Sequence, residues 1–176
     1  MGMKIEMSLL NPDKFTEAIE ITIQEAVYRS MISAVIAAKQ NTFSDKLYTD
    51  RTNNLRSSIG FVIYKDGKLV SSYFSQSGTG IEDNGSTGIE VGFAEAEDEA
   101  KKNNTKGYIC ILVAGMGYAR SVESKGYDVI SGSWLHFEDM FKREFQVLQE
   151  QVAIKVIGNK NVSFDQWLSG LKPGEL

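Results

Sequence analysis

The side chains able to do chemistry are few in this 176-residue chain, and they are scattered. His136 is the single histidine, with no second histidine or cysteine at ligand spacing, which argues against a metal site. Cys110 is the single cysteine and sits inside Tyr108-Ile109-Cys110-Ile111-Leu112-Val113-Ala114, so no internal disulfide can form, and the thiol reads as a small buried hydrophobe rather than a nucleophile. The serines lack the strand-turn-helix setting of a nucleophile elbow. Glu95, Glu97 and Glu99 stand two apart, and positions two apart on a helix do not share a face, so they read as a solvated surface rather than a ligand set. No catalytic, metal or cofactor-binding residues are therefore assigned, although carboxylates that meet only in space would leave no mark in the sequence.

Glycine is the remaining feature with chemical potential. Gly78, Gly80, Gly85, Gly88 and Gly92 crowd the segment Ser75–Gly92. A phosphate-binding loop has fixed glycine spacing, a following Lys-Ser/Thr or a dinucleotide fingerprint, and a place between a strand and a helix N-terminus. Here Gly80-x4-Gly85 leads into Ser86-Thr87 with no lysine, and Glu82, Asp83 and Glu90 would repel an anion. The segment reads as a loop.

Composition narrows the class. Apolar residues make up 42% and charged residues 24%, which is ordinary for a soluble globular domain. The net charge is −4, with no cluster of Lys or Arg, so binding of nucleic acid through its phosphates is disfavoured. The apolar run Tyr108–Ala114 is far shorter than the ~20 residues a membrane helix needs. The first residues lack a signal peptide's basic-then-apolar layout, which points to a reducing cytoplasm. One domain over 1–160 and a tail over 161–176 are expected, with 77–104 as a glycine-rich and acidic insertion.

The elements that would carry these residues centre on Tyr48–Tyr73. A polar lead-in runs to Leu55-Arg56-Ser57-Ser58-Ile59, and two alternating strands then flank Lys65-Asp66-Gly67-Lys68, where Asp-Gly signals a tight primed turn. Before it, Asn11-Pro12-Asp13 starts a helix whose apolar residues from Phe15 to Ala38 recur every three or four positions. After it, the segment from Ile89 or Val91 to Asn104 places acids early and lysines late, as a helix dipole favours. Tyr108–Ala114 reads as a strand at the centre of the sheet. Then come a short helix with Tyr118, Ala119 and Val122 inward, a stop at Gly126 and a short strand to Ile130. A second long helix opens at Ser131 or Ser133, with Trp134, Phe137, Phe141, Phe145, Leu148 and Val152 as its stripe. The predicted fold is α+β: two long helices packed on a small, mainly antiparallel sheet of about four strands. Trp134 and Trp167 are candidate partner contacts.

Two pieces of the chain carry a resemblance. Thr49-Asp50-Arg51-Thr52-Asn53-Asn54-Leu55-Arg56-Ser57-Ser58-Ile59 is similar to the Thr-Gly-x-Leu-Arg-x-Ser-Ile signature of the tail-component family of tailed bacteriophages, the small neck or tail-completion proteins that join head and tail. Ala114-Gly115-Met116-Gly117-Tyr118-Ala119-Arg120-Ser121-Val122-Glu123-Ser124-Lys125-Gly126 is similar to that family's Tyr-Ala-x-x-Val-Glu-x-Gly signature, and the order of the pieces agrees. Asn53 stands near the family's usual glycine, and 77–104 is longer than usual. The resemblance implies a non-catalytic virion protein, assembled in the bacterial cytoplasm. It would form rings, often hexameric, against other neck or tail proteins, with DNA only as passing cargo. Neck ring, tail terminator and another tail-assembly role all stay open. Leu55, Arg56, Ser58, Ile59, Tyr118, Ala119, Val122, Glu123 and Gly126 are the matching positions, and an Arg56–Glu123 ion pair is expected between them. The alternative is a cytosolic ligand-binding protein or enzyme with a pocket beside the glycine-rich 77–92 loop.

Overall fold

The structure is a computed structural model that describes residues 12–44, 52–77, 85–103 and 106–157. Its elements in chain order are α1 (Pro12–Ser44), α2 (Asn54–Ser57), β1 (Ile59–Lys65), β2 (Lys68–Phe74), α3 (Ser86–Lys102), β3 (Tyr108–Ala114), α4 (Ala119–Glu123) and α5 (Ser131–Ile157). The Asn11 cap, Gly78, Gly80, the tail and Trp167 lie outside the described residues. The class is α+β with a three-stranded antiparallel sheet in the order β2-β1-β3. Two compact units divide the chain. One holds Tyr28–Met140, and the other holds the N-terminal part of α1 with α5 from Phe141 onward.

In the larger unit the hairpin forms where the Asp-Gly pair stands. Asp66 at φ 50° and Gly67 at φ 76° both take the left-handed backbone that a primed two-residue turn requires. The tip is tied to the start of β3: Asp66 N–H donates to the Gly107 carbonyl at 3.0 Å, and Gly107 N–H donates to Asp66 Oδ1 at 2.9 Å. β1 is the central strand, and Ile59, Phe61, Val62 and Ile63 are fully buried. Strand alternation sends Phe61 to one face, where its ring meets Tyr28 of α1 edge-on at 5.7 Å and stacks on Tyr73 at 6.0 Å. Gly60 and Val62 look to the other face, which α3 covers and where Phe74 meets Phe93 at 5.9 Å. Apolar side chains on both faces of β1 thus have partners on both.

α3 lies unusually close to this sheet because its inner face is small. Gly88, Gly92, Ala96 and Ala100, four apart, are its buried residues. A Cβ placed on Gly92 would sit 2.5 Å from the Ser58 carbonyl oxygen and 2.9 Å from a ring carbon of Phe74, and one on Gly115 would sit 2.5 Å from the Gly92 Cα. Backbone therefore packs on backbone.

The described residues of the smaller unit are helical. Thr22, Ala26 and Val27 are buried on α1, and Leu148 is buried on α5, where the Phe141 and Phe145 rings stack at 5.6 Å.

Three expectations are corrected. Among the described residues β3 lies at an edge, not at the centre, because β1 takes the central place. Tyr127–Ile130 is not a strand, so the described residues form three strands where about four were expected. That segment is held as the lead-in to α5: Gly132 N–H donates to Asp128 Oδ1 at 2.8 Å, Ser133 Oγ donates to the Ile130 carbonyl at 2.7 Å, and Val129 is buried. α3 starts at Ser86, before Ile89, since its first turn finds a partner elsewhere in the chain.

The close approach of α3 gives a direct test. Gly92→Ala is expected to lower the unfolding free energy by about 1–3 kcal/mol through overpacking, although alanine is the better helix former. At Gly117 an added Cβ meets nothing within 4 Å, and Gly117→Ala is expected to stay within about 0.5 kcal/mol of the parent. Urea unfolding measures both, and equal losses at the two sites would contradict the packing described.

Candidate functional site

The two motif segments meet around Asn53–Ile59. Asn53 takes the left-handed conformation at φ 56°, the place where a glycine would be at ease and where asparagine is among the tolerated residues. It turns the chain into the single turn α2, whose Leu55 is fully buried, as is Ile59 at the start of β1. Leu55 and Ile59, four apart, thereby seat the turn in the core.

The side-chain oxygens of Asn54, Ser57 and Ser58 are spent on backbone. Asn54 Oδ1 accepts from Gly88 N–H at 2.9 Å. Gly85, at φ 80°, precedes α3 and has no side chain to cap it, so Asn54 serves one of the orphan donors of that helix from a distance in sequence. Ser57 Oγ accepts from Ser77 N–H at 3.3 Å. Ser58 Oγ donates to the Leu55 carbonyl at 2.8 Å and accepts from Met116 N–H at 3.4 Å, while the Ser58 carbonyl accepts from Gly115 N–H at 3.3 Å. Ser58 thus joins the first motif to the start of the second, 58 residues away in sequence.

The second motif caps a helix. Ala119 and Val122 are buried under α4, as expected, and Gly126 at φ 91° ends the turn after it. Tyr118 is 39% exposed, not inward: it stands before the first residue of α4, where its carbonyl accepts from Ser121 and Val122 N–H. Glu123 Oε1 accepts from Ser131 N–H at 3.0 Å, the first residue of α5. A carboxylate is well placed at a helix N-terminus, where the unsatisfied N–H groups carry partial positive charge. Glu123 and Asp128, rather than a serine hydroxyl, serve the first turn of α5. The expected Arg56–Glu123 pair is not among the ion pairs of the described residues, and Arg56 lies instead near Lys39.

Lys39, which composition alone did not single out, reaches from α1 to the end of β2. Its Nζ donates to the Ser75 carbonyl at 2.9 Å and to Ser75 Oγ at 3.0 Å. Burial, and second the neighbouring Arg56 guanidinium, bring its ammonium group down to about 8. Burial pushes the Cys110 thiol up to about 11, which makes it a poor nucleophile near neutrality. His136 is exposed on α5. Among the described residues no group of three His, Cys, Asp or Glu could hold a metal ion. Two acids of α3 are paired locally, Asp98 with Lys101 at 3.1 Å and Glu99 with Lys102 at 3.0 Å. No helix among the described residues is long and apolar enough to cross a membrane.

A hollow of about 340 Å³ is lined by Leu112, Ile130, Ser131 and Trp134, so it borders β3 and the start of α5 rather than the glycines before α3. Trp134 is 48% exposed and stacks on Phe137 at 5.2 Å, and its neighbour Leu135 is 68% exposed. Comparison of the chain with known protein families, with curated proteins and with solved structures finds no match.

Sequence reasoning missed Asn54, Gly88, Gly92 and Gly115 as members of this joint. For Gly88 and Gly92 the signal was present in the four-residue spacing of small residues from Gly88 to Ala100, which the density of loop-forming residues around Gly78–Gly85 obscured, whereas Asn54 and Gly115 carried none.

The Lys39 environment makes stability depend on pH with a definite sign. A lysine whose folded pKa is lowered from 10.5 to about 8 binds fewer protons folded than unfolded between those values, so stability rises with pH across that window. Cys110, raised from 9.0 to about 11, contributes stability that is lost as pH rises from 9 through 11. Lys39→Met is therefore expected to remove the rise between pH ~8 and ~9, where the lysine acts first. Urea unfolding at a series of pH values measures this, and an unchanged slope in the variant would contradict the assignment.

Proposed function

We propose that this chain is a non-catalytic structural protein of a tailed bacteriophage or prophage. It acts in the neck or tail, in head-tail joining or tail completion, as an oligomeric ring of its own copies against other neck or tail proteins. The observation that carries the reading is the use made of the two motif segments. Leu55, Ser58 and Ile59 of the first and Ala119, Val122 and Glu123 of the second are committed to core packing and to backbone hydrogen bonds. The first segment is bonded to the start of the second through Ser58. A joint of this kind holds surfaces in place.

Surfaces for assembly are available on the helices. Ile21, Tyr28 and Ile36 on α1 and Trp134, Leu135 and Val147 on α5 are large apolar side chains at the surface. The flanks of these helices serve as contacts between copies, which supports a role built on association. DNA passes as cargo rather than ligand: at a net charge of −4 the protein suits a channel through which DNA slides without sticking. The same reading places the protein in the virion after assembly in the bacterial cytoplasm.

Absolute mass measured by light scattering across a concentration series tests this. The expected result is a discrete species several-fold heavier than the 19.5 kDa chain. A monomer at every concentration that binds a small molecule saturably would contradict it and favour a ligand-binding protein.

A further inference from the structure

β3 is composed as a central strand and placed as an edge strand. Tyr108-Ile109-Cys110-Ile111-Leu112-Val113-Ala114 contains no charge, glycine or proline, yet among the described residues β1 is its single neighbour in the sheet, and all seven residues are half-buried. The opposite edge is guarded in the usual ways. β2 starts at the exposed Lys68, and Val70 is an extra residue against β1, since Ile63 pairs with Ser71 and Tyr64 with Leu69. β3 has neither device.

The hydrogen bonds at its two ends show which backbone groups face away from β1. Gly115 N–H donates to the Ser58 carbonyl, and Asp66 N–H donates to the Gly107 carbonyl, both in the register of the β1–β3 ladder. In an antiparallel pair, residues that exchange hydrogen bonds with the neighbour alternate with residues whose N–H and C=O point the other way. Positions 107, 109, 111, 113 and 115 therefore bond to β1, and Tyr108, Cys110, Leu112 and Ala114 present their N–H and C=O outward. Among the described residues no strand pairs with that edge.

We propose that the strand beside β3 is the β3 of a second copy of this chain, antiparallel about a two-fold axis at Ile111. The occupant follows from the strand's own pattern. Outward positions must pair with outward positions, and the register centred on Ile111 is the one that uses all four. Tyr108 then faces the second copy's Ala114, large against small, and Cys110 faces the second copy's Leu112, both as hydrogen-bonded pairs. The two Ile111 side chains meet across the axis as a non-hydrogen-bonded pair. A slip by two residues leaves an end residue without its partner. With no charge on the strand, self-pairing opposes no like charges. The hollow beside Leu112 and the exposed Trp134 and Leu135 border the same strand, so the second copy also covers apolar surface there. This pairing does not rest on the ring reading, because closing a ring requires a second, different contact. A ring built from such pairs has an even number of copies.

Cysteine cross-linking of the full chain tests the contact. Non-hydrogen-bonded antiparallel partners have Cα atoms about 4.5 Å apart, within disulfide range. In a Cys110→Ser background, Ile111→Cys is expected to form a disulfide-linked dimer on mild oxidation. Val113→Cys, which faces the second copy's Ile109, is expected to cross-link roughly tenfold less. The backbone amides of Cys110 and Leu112 are expected to exchange more slowly as protein concentration rises. Equal cross-linking at both positions would overturn the proposal. So would an uncross-linked Ile111→Cys in a protein whose mass has doubled, or a monomer in which those two amides are already protected, the sign of an edge covered by the chain's own residues or by another partner. The mass series reads the ring and the cross-link reads β3, so the two readings fail separately.

Discussion

The contact between the backbone of α3 and the backbone of Asn54–Ile59 constrains most of the larger unit. Two helical positions, Gly88 and Gly92, lack side chains where Asn54 and Ser58 come closest, and Gly115, just after β3, approaches Gly92. Side chains of ordinary size would hold the helix farther from the backbone beneath it. Here their absence lets the Asn54 amide reach the Gly88 N–H and leaves Ser58 buried with both its carbonyl and its hydroxyl bonded. Burying so much backbone would be costly if its polar groups were unpaired, at about 1–3 kcal/mol each. The exchange of caps and carbonyls between segments removes that cost. β1 follows directly from this knot, which explains why it is central and the best buried of the strands.

The same constraint bears on function. Hydroxyls and carboxylates that could serve a reaction are turned toward the main chain: Ser57 toward Ser77, Ser58 toward Leu55 and Met116, Glu123 toward Ser131, Asp128 toward Gly132. Each fixes the start or end of an element, and together they hold α3, β3, α4 and the start of α5 in register. The proposed role in assembly would draw on that rigidity, because a copy whose surface elements within the larger unit are held in one arrangement loses less conformational entropy on joining the next.

Much of the local structure was legible in the sequence because local physics decides it. Asp66-Gly67 takes the left-handed φ its turn needs, Lys101 and Lys102 close α3 where the dipole favours them although its first turn holds no acid, and Leu55 and Ile59 are seated as their spacing requires. What was not legible turns on partners distant in the chain. Nothing near Ser86 signals a helix start, since the cap is Asn54. Tyr127–Ile130 has strand-like residues but belongs to the cap of α5, since Asp128 has Gly132 within reach. The all-apolar β3 reads as a central strand, and its place at the edge is a fact of topology that composition does not carry. Tyr118 and the Arg56–Glu123 pair were misplaced for a related reason: short motifs show which residues recur together, not which atoms meet.

Native-state amide hydrogen exchange, read residue by residue by NMR, addresses the role of the knot most directly. If the contact between α3 and Asn54–Ile59 holds the unit together, the amides of Gly88, Ser58 and Gly115 open only with global unfolding and are among the slowest in the protein. Exchange at those three positions as fast as at the exposed hairpin tip around Gly67 would show that the segments separate while the rest stays folded, and would contradict the account.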